Sequence, residues 1–287
     1  MDWDDHKDHW PMAAHSRFVP WGRAGRWHVQ EMGPPDAPQL LLLHGAGGAT
    51  QSWRGLMPIL ADHYRCIAVD LPGQGFSVPR APGRFGLDAM AADVRALCDG
   101  EGWNIRHCLA HSAGTAIALR MAETTPFADG QIVGLNAALA KFDGIAGWAF
   151  PLAAKALALN PFTARVAAAA ASPASVDRLL KGTGSQINAD GKRLYLSLIS
   201  SRSHVDGTLR MMANWSLDGL LARLPRNQQR THLMVGDNDT TVPPKTSEDA
   251  ARRMPHATLE RLPKLGHLMH EEAPDLIADR VRAALAD

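Results

Sequence analysis

The chain has 287 residues, enough for one large core or a core with an inserted subdomain. Lys and Arg (30) nearly balance Asp and Glu (29), and the basic residues are scattered, so composition offers no nucleic-acid-binding surface. Apolar residues make up 46% of the chain, which excludes a disordered protein. Cys66, Cys98 and Cys108 are far apart and lack zinc or disulfide spacing, so reduced buried thiols in a cytoplasmic protein are expected.

The first residues, Met1-Asp2-Trp3-Asp4-Asp5-His6, are acidic and carry no apolar signal segment. Residues 1–22 read as a polar and aromatic arm, with residues 27–32 as an edge strand. Residues 39–44 form a continuous apolar run, the pattern of a buried parallel strand, and lead into His44-Gly45-Ala46-Gly47-Gly48. Such a loop brings backbone N–H groups close to a reacting carbonyl. Ala46 is the candidate donor, with Gly47 as the alternative. The Walker and dinucleotide patterns both fail here, because no Lys-Ser or Lys-Thr follows and the glycine spacing is wrong. Trp53 opens the next helix and is placed near this loop.

A second short strand over 66–70 runs into Asp70-Leu71-Pro72-Gly73-Gln74-Gly75-Phe76-Ser77. An acid at the head of a turn-rich loop usually accepts backbone N–H bonds, so Asp70 reads as structural. Helical spacing follows over 87–98. Then comes Leu109-Ala110-His111-Ser112-Ala113-Gly114, a strand over 105–110 turning into a small-residue helix. Ala110 and Gly114 flank Ser112 at the two positions where a tight strand-to-helix turn leaves almost no room for a side chain. The serine then stands at a helix N-terminus, where free N–H groups favour developing negative charge. The N–H of Ala113 is a natural oxyanion donor. Taken alone, so short a pattern is equally a serine capping an ordinary helix.

A strand over 131–136 ends the first alternating stretch. From 138 to 224 strand signals stop and alanine-rich helical segments take over, at 145–159, 161–171, 173–180, 192–199 and 205–212. A helical block set between strands reads as a cap over the mouth of a sheet. Trp148, Phe150, Met212 and Trp215, with Gly47 and Trp53 from the loop side, are candidate pocket residues. For any one of them, packing between helices is the commoner use. The segment 144–159 is the longest apolar stretch, but Pro151 and Lys155 interrupt it, so peripheral membrane contact is the less favoured reading. Strands return at 231–236 and 257–262, and a closing helix covers 274–285. Alternating strands and helices predict an α/β fold with a mostly parallel sheet covered on both faces.

A serine hydroxyl needs a base, and the base an orienting acid. Ser112, Asp239 and His267 follow three different strands, where an open parallel sheet gathers its catalytic loops. His44-Gly45-x-Gly47, Asp70-x-x-Gly73-x-Gly75-x-Ser77, the Ser112 elbow, Gly236-x-x-Asp239-x-x-Val242-Pro243 and Gly266-His267 occur in this order. Together they resemble the α/β-hydrolase family over nearly the whole chain. The resemblance implies an α/β-hydrolase fold with an inserted helical cap. It implies Ser112 as nucleophile, His267 as base and Asp239 as acid, with Asp237 as the rival acid. His111 and His270 have no assigned role. Ala110 departs from the usual elbow glycine, and Gln74 from the frequent histidine in its loop.

Further segments are similar to the BchO subfamily, magnesium-chelatase accessory proteins of bacteriochlorophyll synthesis. They include Asp2-Trp3-Asp4, Gly134-Leu135-Asn136-Ala137-Ala138-Leu139, Met211-Met212-Ala213-Asn214-Trp215 and His267-Leu268-x-His270-Glu271-Glu272. That similarity implies a porphyrin or porphyrin ester as ligand or substrate and magnesium chelatase as a partner. No metal-ligating spacing is evident and no cofactor is expected, so any magnesium would arrive with the porphyrin. The domain reading is a core over 1–137, a cap over 138–224 and the rest of the core over 225–287. A carboxylic-ester-type serine hydrolase is the expected activity, and a non-catalytic porphyrin-binding or chelatase-docking protein is the alternative.

Overall fold

The computed structural model describes residues 1–140, 160 and 162–286. Eight strands form one sheet: β1 (Ser16–Trp21), β2 (Gly25–Met32), β3 (Gln39–Leu43), β4 (Arg65–Val69), β5 (Ile105–His111), β6 (Ile132–Leu135), β7 (Thr231–Gly236) and β8 (Ala257–Leu262). Their spatial order is β1-β2-β4-β3-β5-β6-β7-β8. β2 runs antiparallel to β1 and β4, and every other pair is parallel. The order reverses around β3, and an open sheet collects its ligand-facing loops beyond the strand ends at such a point.

β3 shows why the sheet sits inside the protein. Leu40 to Leu43 are all fully buried. Leu41 and Leu43 face one core layer with Ile67 and Val69, while Leu40 and Leu42 face the other with Cys66 and Ala68. This is the two-residue period of a strand, apolar on both faces because helices cover both. On the first face lie α2 (Leu87–Gly100) and α3 (Ala113–Thr124), through Met90, Val94 and Ile117. On the second lie α1 (Leu56–Leu60) and α11 (Pro274–Ala286), through Met57, Ile277 and Val281. All three cysteines are free and buried, and burial pushes the Cys66 and Cys98 thiols up to about 12.

Between β6 and β7 the described residues form helices only: α4 (Thr163–Ala169), α5 (Pro173–Thr183), α6 (Ala189–Ile199), α7 (Arg202–Asn214) and α8 (Asp218–Arg223). Ser172, Asn188 and Ser201 each cap one of them by accepting an N–H with the side chain. After β7 come α9 (Pro244–Arg253) and the short α10 (Met269–Glu272). The segment 144–159 lies outside the described residues. Among those described, no helix is long and apolar enough to cross a membrane.

The N-terminal expectation needs correcting. Residues 16–21 form a six-residue strand rather than part of an arm, so β2 is an inner strand and β1 is the edge. β1 is mostly half-buried and carries Pro20, which only an edge strand tolerates easily, and this weakened its pattern.

Asp70 anchors the loop after β4. Its Oδ1 accepts the Thr50 N–H at 2.7 Å, and its Oδ2 accepts the Phe76 N–H at 2.8 Å and lies 2.7 Å from His28 Nδ1. His28 Nε2 in turn lies 3.0 Å from Ser16 Oγ. Ser16, His28 and Asp70 thus form a hydrogen-bonded Ser-His-Asp chain that ties β1, β2 and the loop after β4 together. The His28 ring is fully buried beneath Trp3, Phe18 and Phe76. Burial alone would raise the Asp70 carboxyl, but the facing His28 ring and the backbone donor outweigh it and hold the group below its ordinary value. Asp70→Ala leaves two N–H groups and an imidazole unpaired in the core. A loss of about 3 kcal/mol is expected, read from the urea midpoint; a loss indistinguishable from zero would remove the anchoring role.

Candidate active site

Ser112 sits at the join of β5 and α3 with φ 52° and ψ −119°, a strained conformation that turns the chain sharply. Two neighbours explain how the strain is held. A Cβ on Gly114 would lie 2.3 Å from the Leu43 carbonyl oxygen, so only glycine fits there. A Cβ on Gly45 would lie 2.9 Å from Ser112 Cβ, so the glycine-rich loop presses directly on the elbow. The Ser112 N–H donates to Leu135 O at 2.9 Å, tying the elbow to β6.

His267 follows β8, and its Nδ1 lies 2.7 Å from Asp239 Oδ2 beyond β7. The other carboxylate oxygen of Asp239 accepts the N–H groups of Thr241 and Val242, each at 2.8 Å. These donors fix the carboxylate, so the hydrogen on the ring sits on Nδ1 and leaves Nε2 as the lone-pair nitrogen. Asp239 and His267 are buried. Asp237, the rival acid, pairs instead with Arg261 at 2.8 Å on the surface. Among the described residues, no hydrogen bond joins Ser112 Oγ to His267. Such contacts often tighten only when substrate binds.

The two backbone N–H groups expected to act as oxyanion donors belong to Ala113 and Ala46. Ala113 is the first residue of α3, and its N–H has no acceptor within the helix. Ala46 is exposed, and among the described residues its N–H has no acceptor. Gly47 differs: its N–H donates to Gln74 Oε1 at 2.7 Å, so it is not a spare donor.

His204 is a residue whose part at this site the sequence did not disclose, and Gln74 was marked there only as a departure from the frequent histidine in its loop. Gln74 is fully buried, and its Nε2 lies 3.1 Å from Met211 Sδ on α7. His204, also on α7, accepts the Gly75 N–H at Nδ1 (3.0 Å), so its proton sits on Nε2 and is shared with Gly47 O at 3.2 Å. Burial pushes the His204 imidazole down to about 4. One face of α7 therefore holds the glycine-rich loop and the Gly73–Gly75 loop together. His44 acts from beneath: Nε2 accepts the Leu71 N–H at 2.9 Å, and Nδ1 donates to Gly45 O at 2.8 Å.

The candidate pocket residues divide. Trp53 is fully buried in the core and packs against His270 with the rings tilted at 39° and their centroids 4.8 Å apart, so it backs the site and does not line a pocket. Trp215 is half-buried against the large core layer, and Met212 is half-buried on α7 beside the fully buried Met211. Trp148 and Phe150 lie outside the described residues. His270 has no exposed surface, and burial together with the adjacent His267 pushes its ring down to about 3. Among the described residues, no group of His, Cys, Asp and Glu is arranged to hold a metal ion.

A mostly parallel sheet, a strained serine elbow and a His-Asp pair on the loops beyond the later strands are the hallmarks of one fold family. The chain belongs to the α/β-hydrolase fold family, whose pattern it matches over residues 38–274. It is 47% identical over 250 residues to the magnesium-chelatase 30 kDa subunit of Rhodobacter capsulatus, covering 87% of each chain. It is 31% identical over 271 residues to the dihydrolipoyllysine-residue acetyltransferase component of the acetoin cleaving system of Pseudomonas putida, covering 92% of this chain and 67% of that one. Among solved structures, an α/β hydrolase fold protein of Burkholderia ambifaria superposes with a TM-score of 0.76 at 21% identity, over 92% of this chain and 96% of the other. That last likeness speaks for the fold alone.

Proposed function

We propose that this protein is a serine hydrolase of an ester-like bond in a hydrophobic substrate. The observation that carries the reading is the strained Ser112 elbow, set beyond the same ends of the parallel strands as a buried His267–Asp239 pair. In this reading Ser112 Oγ attacks the carbonyl carbon and its proton passes to His267 Nε2. The N–H groups of Ala46 and Ala113 hold the oxyanion, and Asp239 keeps the ring in the accepting tautomer. His267 then gives the proton to the leaving alcohol. Water, deprotonated by the same ring, releases the acyl group as a carboxylic acid. Residues 138–224 act as the cap, over a core of 1–137 and 225–287.

The substrate class proposed is guided by the name of a relative. A protein 47% identical to this one is named as a magnesium-chelatase subunit, which supports a porphyrin ester as substrate and contact with the chelatase. The same relative supports a second reading: an accessory protein that binds porphyrin or docks on the chelatase without using the serine. Both readings suit a cytoplasmic protein.

Treatment with a fluorophosphonate followed by intact mass separates the two readings. One adduct on the wild type and none on Ser112→Ala is the expected result. A folded wild type that stays unlabelled overturns the hydrolase reading, and titration of porphyrin absorbance then tests the accessory one.

A further inference from the structure

The main-chain carbonyl of His267 receives two side-chain hydrogen bonds. His111 Nε2 lies 2.8 Å from it and Asn136 Nδ2 lies 2.9 Å from it. Asn136 Nδ2 also reaches Gly266 O at 2.9 Å, and its Oδ1 accepts the Gly236 N–H at 2.9 Å. Chemistry fixes how this amide points, because carbonyl oxygens can face only the NH₂ and an N–H only the oxygen. Asn136 stands just past β6 with φ 46°, a left-handed conformation that asparagine tolerates well. It is 1% exposed.

These bonds join the four strand ends that matter. His111 is the residue before Ser112 at the end of β5. Asn136 follows β6, Gly236 ends β7, and Gly266-His267 lies beyond β8. The Ser112 carbonyl closes the circuit by accepting the Ala138 N–H at 3.2 Å. The His111 ring packs 4.6 Å from the His267 ring and 4.6 Å from the His270 ring. Facing a carbonyl, its Nε2 must carry the proton. Burial and the neighbouring imidazoles keep the ring neutral, so it adds no positive charge beside a ring that must take up a proton.

We propose that His111 and Asn136 are positioning residues: they clamp the His267 backbone and so set how the ring approaches Ser112. The proposal rests on the serine-hydrolase reading above. His111 thus gains a role that its place in the elbow did not suggest, and Asn136 acts from a strand that supplies no proposed catalytic residue.

The test compares wild type with His111→Leu, His111→Gln and Asn136→Ser. Gln can return an N–H donor to the Nε2 position, and Leu cannot. The readouts are the rate of fluorophosphonate labelling, kcat and KM on a 4-nitrophenyl ester, and Tm. His111→Leu is expected to lower kcat and the labelling rate by about 10²-fold, the cost of roughly an ångström of misplacement, with KM nearly unchanged. His111→Gln should recover most of that loss, which a general loss of packing would not allow. Asn136→Ser should fall in kcat with KM held, and it serves should His111→Leu fail to fold. A wild-type labelling rate in folded His111→Leu or Asn136→Ser overturns the proposal alone. A wild type that takes no label overturns the hydrolase reading and this proposal with it.

Discussion

Lowering the pH from about 7 to about 5 will destabilise the protein by about 4 kcal/mol through two histidines alone. His204 and His270 are buried and neutral, with folded-state values of about 4 and about 3 set first by burial. Unfolded histidine titrates near 6.5. Between those values the unfolded chain binds more protons than the folded one, so stability falls as pH falls below about 6.5. Each ring contributes about 2 kcal/mol of that loss over the interval, a large share of a typical net stability of about 5–15 kcal/mol. His44 and His111 are lowered for the same first reason and act in the same direction. Asp70 adds a separate loss further down. Its depressed carboxyl supports the fold above its unfolded value of about 3.9, and the support disappears as pH falls through the folded value. Urea unfolding across this range measures the effect. An unchanged midpoint from neutral pH to about 5 would mean that these rings do protonate in the folded state.

The second large effect is on turnover. Asp239→Asn is expected to reduce kcat on the order of 10⁴-fold while the fold survives. The reason is directional. Thr241 and Val242 both point N–H groups at Asp239 Oδ1. An asparagine must turn its only oxygen toward them, which sets its NH₂ against His267 Nδ1. That nitrogen then has to accept, the proton moves to Nε2, and the ring can no longer take the Ser112 proton as the proposed reaction requires. Esterase kinetics with circular dichroism measure this directly. Turnover near wild type in a folded Asp239→Asn would remove Asp239 from the reaction.

Local pattern carried much of this protein. The strand readings at 39–44, 105–110 and 231–236 correspond to β3, β5 and β7, because a strand covered on both faces is mostly apolar, with polar residues such as Arg106 and His232 confined to its less buried start. The α/β-hydrolase fold was legible from spaced glycines, which answer different needs: Gly114 a close approach to Leu43 O, and Gly47, Gly73 and Gly75 a positive φ. What stayed hidden was contact between distant segments. Gln74 meets Met211 across 137 positions, and Asn136 meets His267 across 131. Neither pairing leaves a periodic trace in the sequence. Trp53 misled for another reason: an indole beside a catalytic loop looks alike in sequence whether it faces ligand or fills the core, and here it is fully buried.

Helix α7 bears on how anything reaches Ser112. A Cβ on Gly207 would lie 1.9 Å from the Gly73 carbonyl oxygen, so α7 meets this loop backbone to backbone. Three residues before, His204 bonds to both loops that frame the serine. Swinging α7 aside like a hinged door would strip Gly47 and Gly75 of their partners and loosen the very loop that carries Ala46. Admission and readiness are thus in conflict along this helix. The contacts resolve the conflict in favour of readiness: α7 is a fixed doorpost, and a substitution at His204 or Gly207 reaches the loops around Ser112 through the backbone rather than through any contact with a ligand.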